Sequence, residues 1–594
     1  MHMLFSELSQ YFEKLETTSS RLALIDILAQ LYKNAPADEI PMIIYLTQGR
    51  VGPFFSPVEI GMAEKTVASA VADAYGSTKE AVLEQYKIIG DLGKVSEMLN
   101  QVQHDIKNRL TVKDVFEILT QIANVKGEGT VEKRLTLLSD LLKKVDPISA
   151  KHLVRIPLGT NRLGIGDPTV LDGLALGILG DRGNRKLLEK AYNETSDLGL
   201  IGETLKRDGL EAVQKLKITV GRPIRSELCE RLPNPEKVIE KMIEVDAQFK
   251  YDGFRVQIHK DGDVVSMFSR NLESMTHMFP EIIEGTLRQV KAKTAILDTE
   301  ALAYNPESEE FLPFQETTKR RRKHNITEVA KQLPLRAFVF DLLYADGKSY
   351  IDEPLTKRLE KMREIVESDP SSGSGKDILI PSETRFITEA KALSTMLEDA
   401  ISRGLEGVVV KRVDSLYEAG GRNFNWVKLK RHSSGELQDT IDCVVLGYIV
   451  GKGKRTAFGA GALLVGVYDS DSDEFVTVSK IGTGLSDEEW REIHKRADKI
   501  KVSQKPARVN SLIEPSEWVK PEIVIEVLAD EITRSPSHTA GKKETKGTEE
   551  TDGTNAGYAL RFPRLVSFRD HDKKAEDATT VKELIDMFGQ QGKQ

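Results

Sequence analysis

Cysteine is nearly absent: the 594 residues hold two, Cys229 and Cys443. That excludes a disulfide framework and any zinc site built on four cysteines, and both residues are expected as small buried apolar groups. Long apolar runs are also missing. None approaches the ~18 residues that span a bilayer. The N-terminal stretch Met1–Glu16 carries acids and amphipathic spacing in place of the basic-then-apolar pattern of a signal peptide. A cytoplasmic chain with no membrane partner is expected. Positive charge is not in excess either, since the net charge is -8. Polyanion binding would therefore rest on local basic tracks rather than on the bulk field. No internal repeat is visible.

What is present divides by texture. A chain of 594 residues exceeds one hydrophobic core, so several domains are expected. Residues 1–218 read as helical: Leu24, Ile27, Leu28 and Leu31 recur at helical spacing, as do Val112, Val115, Ile118 and Leu119. Residues 219–435 mix short strands with helices. Phe254–His259 alternates, Lys260–Asp263 turns, and Val264–Phe268 follows, which predicts a hairpin with Asp-Gly at its tip. Further strands are predicted at Ala295–Leu297, Ala337–Phe340 and Gly407–Val410, with helices at Pro354–Val366 and Ala390–Ser402. Residues 436–594 show strands separated by glycine-rich turns, the pattern of a small barrel. A flexible loop is expected at 541–557 and an amphipathic helix at Val581–Phe588. The predicted architecture is multidomain: an all-α domain, an α+β domain and a β-barrel.

The chemistry centres on Lys250-Tyr251-Asp252-Gly253-Phe254-Arg255. A lysine amine attacks phosphorus when it is held beside a phosphate and deprotonated. A lysine before x-Asp-Gly alone reads equally as a surface residue ahead of a hairpin. The full Lys-x-Asp-Gly-x-Arg arises by chance in on the order of one chain in a few hundred. Lys428 and Lys430, two apart on a predicted strand, share a face and could both reach a phosphate beside Lys250. Such cations are expected to lower the Lys250 pKa.

This pattern resembles the first motif of the nucleotidyltransferases, which include DNA ligases, RNA ligases and capping enzymes. Further segments resemble the family's later motifs in family order: Ser269-Arg270-Asn271; Leu297-Asp298-Thr299-Glu300, with Thr299 where glycine is usual; Phe338–Tyr344; Glu406–Lys411; Trp426–Lys430; and Arg561-Phe562-Pro563-Arg564 followed by Phe568-Arg569-Asp570. The resemblance implies Lys250 as the AMP-bearing nucleophile. It implies an ATP site formed by Gln248, Arg255, Arg270, Glu300, Phe340, Arg422, Lys428 and Lys430. The family often has glutamate at the Gln248 position. Phe340 would stack on adenine. Glu406 and Glu300 would serve a divalent metal, magnesium with manganese as its substitute. Arg561 and Arg564 would orient pyrophosphate.

RNA ligases and capping enzymes share the core, so the flanks decide the substrate. Arg155–Gly159 with Arg162–Asp167, the basic segment Phe314–Lys323, and Lys480–Gly484 with Ala529–Thr533 and Ser535–Gly541 resemble the archaeal and eukaryotic replicative ATP-dependent DNA ligases. That resemblance implies a DNA-binding domain over 1–218, an adenylation domain over 219–435 and an OB-fold over 436–594. It also implies nicked duplex DNA as partner, ATP as co-substrate and a monomer. The sliding clamp is a further candidate partner, but Leu99–Ile106 lacks the paired aromatics of a clamp motif.

Overall fold

The computed structural model describes residues 2–591 except 19, 101–109, 305–310, 313–316, 318, 322–324, 369–376, 404, 431–438, 451–459, 483–484, 530, 536, 543–555 and 562. Several predicted features therefore lie outside the described residues: Gln101–Ile106 of the clamp stretch, Phe314, Gln315, Arg322 and Lys323 of the basic segment, and most of 541–557.

The first part is helical, from Phe5–Thr17 to Leu210–Gln214. Helix Val112–Asn124 shows why. Thr111 and Asp114 form a reciprocal capping box, and Val112, Val115 and Leu119 are buried on one face. Arg155 lies in this core. Its guanidinium is fully buried and donates to Glu16 at 2.8 Å and to Asp91 at 2.5 Å. Arg162 and Gly164, by contrast, take positive φ of 54° and 67° in the turn that follows. Asp167 then ties the helical part to the next one, accepting from Tyr192 at 2.5 Å and from Arg225 at 3.1 Å.

The central part holds two sheets built from eleven strands: β1 (Leu228–Arg231), β2 (Val245–Lys250), β3 (Phe254–Asp261), β4 (Val264–Ser269), β5 (Thr294–Ala303), β6 (Leu335–Ala345), β7 (Lys348–Ser349), β8 (Leu379–Pro381), β9 (Thr384–Ile387), β10 (Gly407–Arg412) and β11 (Arg422–Lys430). One sheet runs β1-β11-β10-β2-β9. The other runs β4-β3-β5-β6-β7, with β8 beside β6. The predicted hairpin is β3–β4, with Gly262 at φ 58° in its turn. The chain passes from the first sheet to the second between β2 and β3. Gly253 makes that crossing, where a Cβ would stand 2.3 Å from the Ala301 carbonyl oxygen. Helices Leu355–Ile365 and Ala390–Ser402 cover the sheets as the apolar periodicity predicts.

Behind the two sheets sits a charged core. Asp341 is fully buried and accepts from Arg358 at 2.8 Å, while Lys411 stands 3.5 Å away. Two cations lean on one carboxylate that has no water to replace it.

The last part is rich in strands. Ile441–Ile449, Ala462–Asp469 and Glu474–Ile481 form an antiparallel meander, and Val524–Leu528 joins Ile441–Ile449 to Arg564–Phe568. The pairing path is open among the described residues. Helix Val581–Gln590, capped by Thr580 and Glu583, closes the described chain. Asp473 joins this part to the helical one: fully buried, it accepts from Arg508 at 2.5 Å, Arg21 at 3.3 Å and Thr169 at 3.2 Å.

Replacing Asp341 by alanine would leave Arg358 and Lys411 buried without their counter-charge. Such a loss costs about 3–5 kcal/mol. A marked fall in the thermal unfolding midpoint is expected for Asp341→Ala. An unchanged midpoint would show that the buried pair is not a structural centre.

Candidate active site

Register places the site. Across β2, β10 and β11, Gly407 pairs with both Lys250 and Lys430, and Val409 pairs with both Gln248 and Lys428. The next rung on the same face pairs Lys411 with Asp246 and Trp426. Alternate residues share a face, so one cavity wall carries Lys250, Gln248, Lys430, Lys428, Lys411 and Trp426, as the cavity lining bears out. Glu406 precedes the first rung and lines the cavity as well.

The second sheet supplies the opposite wall. Arg255 on β3 pairs with Glu300 on β5, and its guanidinium grips Asp298 in a fork at 3.0 and 2.6 Å. Glu300 accepts from the Gly253 amide at 3.0 Å. Phe340 faces Trp426 edge-on, with centroids 6.1 Å apart. Lys411 donates to the Phe340 carbonyl at 2.9 Å.

A third wall comes from the strand-rich part. Asp442, Arg569, His571, Lys573, Asp577 and Glu583 line the cavity. Arg422 pairs with Glu583, Arg270 stands 3.5 Å from Asp577, and Lys573 pairs with Asp442. Arg561 and Arg564 do not line this cavity. Arg561 is 58% exposed and stands 3.3 Å from Glu531, and Arg564 is exposed on the strand paired with Val524–Leu528. Among the described residues, the cations that this part brings to the cavity are Arg569, within the Phe568-Arg569-Asp570 segment singled out in the sequence, and Lys573, three residues beyond it. Arg231 also lines it, beside Lys428 across the β1–β11 pairing. No motif flagged it, because its place depends on a long-range pairing. Cys229 is half-buried and lines the cavity, whereas Cys443 is fully buried.

Charge is concentrated around Glu406. Its carboxylate pairs with Lys250 through one oxygen and with Lys430 at 2.5 Å through the other. Burial works against its ionisation, but the Lys250 and Lys430 ammonium groups outweigh that and hold it well below the usual carboxylate range. Lys250 responds in kind. Burial disfavours its charged form, yet Glu406 and then Glu300 outweigh burial and hold the amine above its ordinary value. This reverses the expectation that neighbouring cations lower it: two carboxylates stand closer to its balance of charge. Lys428 is pulled well down by burial, then by Arg231 and Lys430, and burial also lowers Lys411 and Lys573. Burial pushes Glu300 up to about 7 against the pull of Lys250 and Arg255.

Glu406, Glu300 and Asp252 give this cationic cavity hard oxygen donors, with Glu406 held ionised. Oxygen donors of this kind suit a divalent cation of the magnesium type, but among the described residues the three carboxylates do not gather within ligand distance of one another, and burial raises Glu300 and Asp252.

Comparison with known proteins agrees with this geometry. The family model described as "ATP dependent DNA ligase domain" matches residues 226–430. Those described as "DNA ligase N terminus" and "ATP dependent DNA ligase C terminal region" match residues 4–175 and 456–573. Together these segments span most of the chain, which belongs to the ATP-dependent DNA ligase family, a family of enzymes. A "Probable DNA ligase" of Dictyoglomus turgidum is 45% identical over 592 residues, covering 100% of this chain and 98% of that protein. "DNA ligase 2" of Thermofilum pendens is 41% identical over 605 residues, covering 99% and 98%. A "DNA ligase" of Sulfolobus acidocaldarius is 39% identical over 600 residues, covering 99% and 98%.

The charge balance predicts a pH profile. An amine must lose its proton to attack phosphorus, and the Lys250 amine is held above its usual value. Glu300 stays protonated below about 7. The rate of covalent nucleotide attachment, measured from pH 6 to pH 9, should climb with pH and show an inflection near 7. In Glu300→Gln that inflection should vanish while the climb persists. A flat profile in the unaltered protein would contradict this electrostatic arrangement.

Proposed function

We propose that this chain seals 5′-phosphate/3′-hydroxyl nicks in duplex DNA through AMP carried on Lys250, in replication, repair and recombination. The observation that carries the reading is the ladder of Lys250, Lys428 and Lys430 around Glu406. Lys250 attacks the α-phosphate of ATP, its nitrogen bonds to phosphorus, and pyrophosphate leaves. The AMP then passes to the 5′-phosphate at the nick, and the 3′-hydroxyl displaces AMP. Dividing one difficult join into successive displacements is the gain of covalent catalysis.

Lys428 and Lys430 would stabilise charge on the phosphate. Arg270 and Arg422 would hold phosphate or nucleotide, and Arg255 with Glu300 would hold the ribose. Phe340 would stack on adenine with Gln248 at the base edge. Arg569 and Lys573 suit the pyrophosphate-orienting role better than Arg561 and Arg564, since they line the cavity. Glu406 and Glu300 would hold magnesium, or manganese in its place. When bound, that cation neutralises phosphate charge as a Lewis acid.

The reading assigns residues 1–218 to a DNA-binding domain, 219–435 to the adenylation domain and 436–594 to an OB-fold. It also takes the protein as a cytoplasmic monomer that encircles DNA by shape and phosphate contacts. The sliding clamp remains a candidate partner without a recognisable motif.

Incubation with α-labelled ATP, followed by nick sealing, tests the proposal. Covalent label is expected on the unaltered protein and none on Lys250→Ala. Lys428→Ala or Lys430→Ala should slow labelling by about 10²-fold, as loss of one preorganised charge donor does. Sealing of nicked RNA but not of nicked DNA would refute the substrate assignment.

A further inference from the structure

A second cleft, of about 500 Å³, lies where the helical, central and strand-rich parts meet. Both signs of charge line it, but they do not balance. Each carboxylate on its wall is committed to a cation: Glu576 to Arg508 at 2.7 Å, Asp570 to Arg496 at 2.8 Å, Glu522 to Lys520 at 3.7 Å, Glu16 to Arg155 at 2.8 Å, and Glu273 to Arg321. Arg162, Arg508 and Lys573 are paired as well, with Asp91, Asp473 and Asp442. Arg50, Lys505 and Lys574 are left over. Among the described residues none of these three has an ion pair.

Two of the leftover cations are crowded together. The Arg50 guanidinium lies 3.6 Å from the centre of the Phe54 ring, and the Lys574 ammonium 4.1 Å from the same centre. One comes from the helical part and the other from the strand-rich part, and burial lowers both from their ordinary values. The ring offsets only part of the cost of holding two like charges so close and partly out of water. Asn271, 7% exposed, lines the same cleft with its Oδ1 lacking a partner. A half-turn of that amide puts a donor in the place of the oxygen. What the cleft lacks is a compact oxyanion of several charges.

The cleft adjoins the cavity of Lys250. Lys573 lines both. Arg270 lines the first and its neighbour Asn271 the second, and Asp577 and Glu576 divide in the same way. We propose that the junction cleft is a second anion site, which binds the pyrophosphate freed in the cavity of Lys250 through Arg50, Lys574 and Lys505. The identity of the anion as a reaction product rests on the reading of Lys250 as the nucleophile. The two oxyanion ends of pyrophosphate supply what two unpaired cations from different parts of the chain lack. Held in the cleft, the leaving group is kept away from the nitrogen–phosphorus bond that its return would reverse.

Equilibrium dialysis of the full chain against labelled pyrophosphate tests this, in a Lys250→Ala background so that no covalent step consumes the ligand. Two bound pyrophosphates per chain are expected. Arg569→Ala should weaken only the one in the cavity of Lys250. Arg50→Ala should weaken only the one in the junction cleft, by roughly tenfold or more, as loss of a charge-assisted hydrogen bond does. Arg50→Lys, which keeps the charge, should recover most of that affinity. A single pyrophosphate indifferent to Arg50→Ala would overturn the inference, and so would two that both survive Arg50→Ala at unchanged affinity. Retention of nicked duplex DNA through Arg50, with no second pyrophosphate, would overturn it too. Should Arg50→Ala fail to fold, Lys574→Gln takes its place in the same measurement. Absence of covalent label from α-labelled ATP on the unaltered chain would instead bring down the reading of Lys250, and the dialysis count does not depend on it.

Discussion

The site depends on one backbone constraint, the register of β10 between β2 and β11. Gly407 pairs with Lys250 on one side and Lys430 on the other. It holds φ at 148°, and a Cβ there would stand 2.1 Å from the Leu429 carbonyl oxygen. Only glycine lets the strands approach this closely. A slip of one residue would turn Lys250, Gln248, Lys428 and Lys430 to the opposite face. The cavity would then lose Lys250 and its neighbouring lysines together.

On that frame the charges organise themselves. Glu406, at the mouth of the ladder, pairs with two lysines that would otherwise repel each other. Carboxylates from the strand-rich part meet the next cations: Glu583 meets Arg422, and Asp577 faces Arg270. Lys430, Arg422 and Arg270 thus each face a carboxylate of the protein. The same economy joins the helical part through Asp167 and Asp473, buried acids that each gather donors from two parts of the chain.

Much of this was legible before any coordinates. The β3–β4 hairpin, the strands near Ala337 and Gly407 and the helix at Ala390 stand where alternation and periodicity placed them. Lys250, Gln248, Glu300, Phe340, Glu406, Lys428 and Lys430 gather in one cavity. Arg155 was read only as part of a segment resembling the ligases, and it is a core residue that holds Glu16 and Asp91. Local sequence cannot tell a buried arginine from an exposed one, because its partners lie 64 and 139 residues away.

Residue type and spacing alone singled out Lys250 as a candidate, the division into helical, mixed and strand-rich parts, and the face shared by Lys428 and Lys430. These are local properties, set by strand alternation and side-chain chemistry. Tertiary structure decided the rest. It brought Arg231 beside Lys428, put Arg569 and Lys573 rather than Arg561 and Arg564 on the cavity wall, and raised the Lys250 amine where neighbouring lysines alone would lower it. Those outcomes follow from which charges meet across strands and domains, and Coulomb's law acts on distance in space, not along the chain.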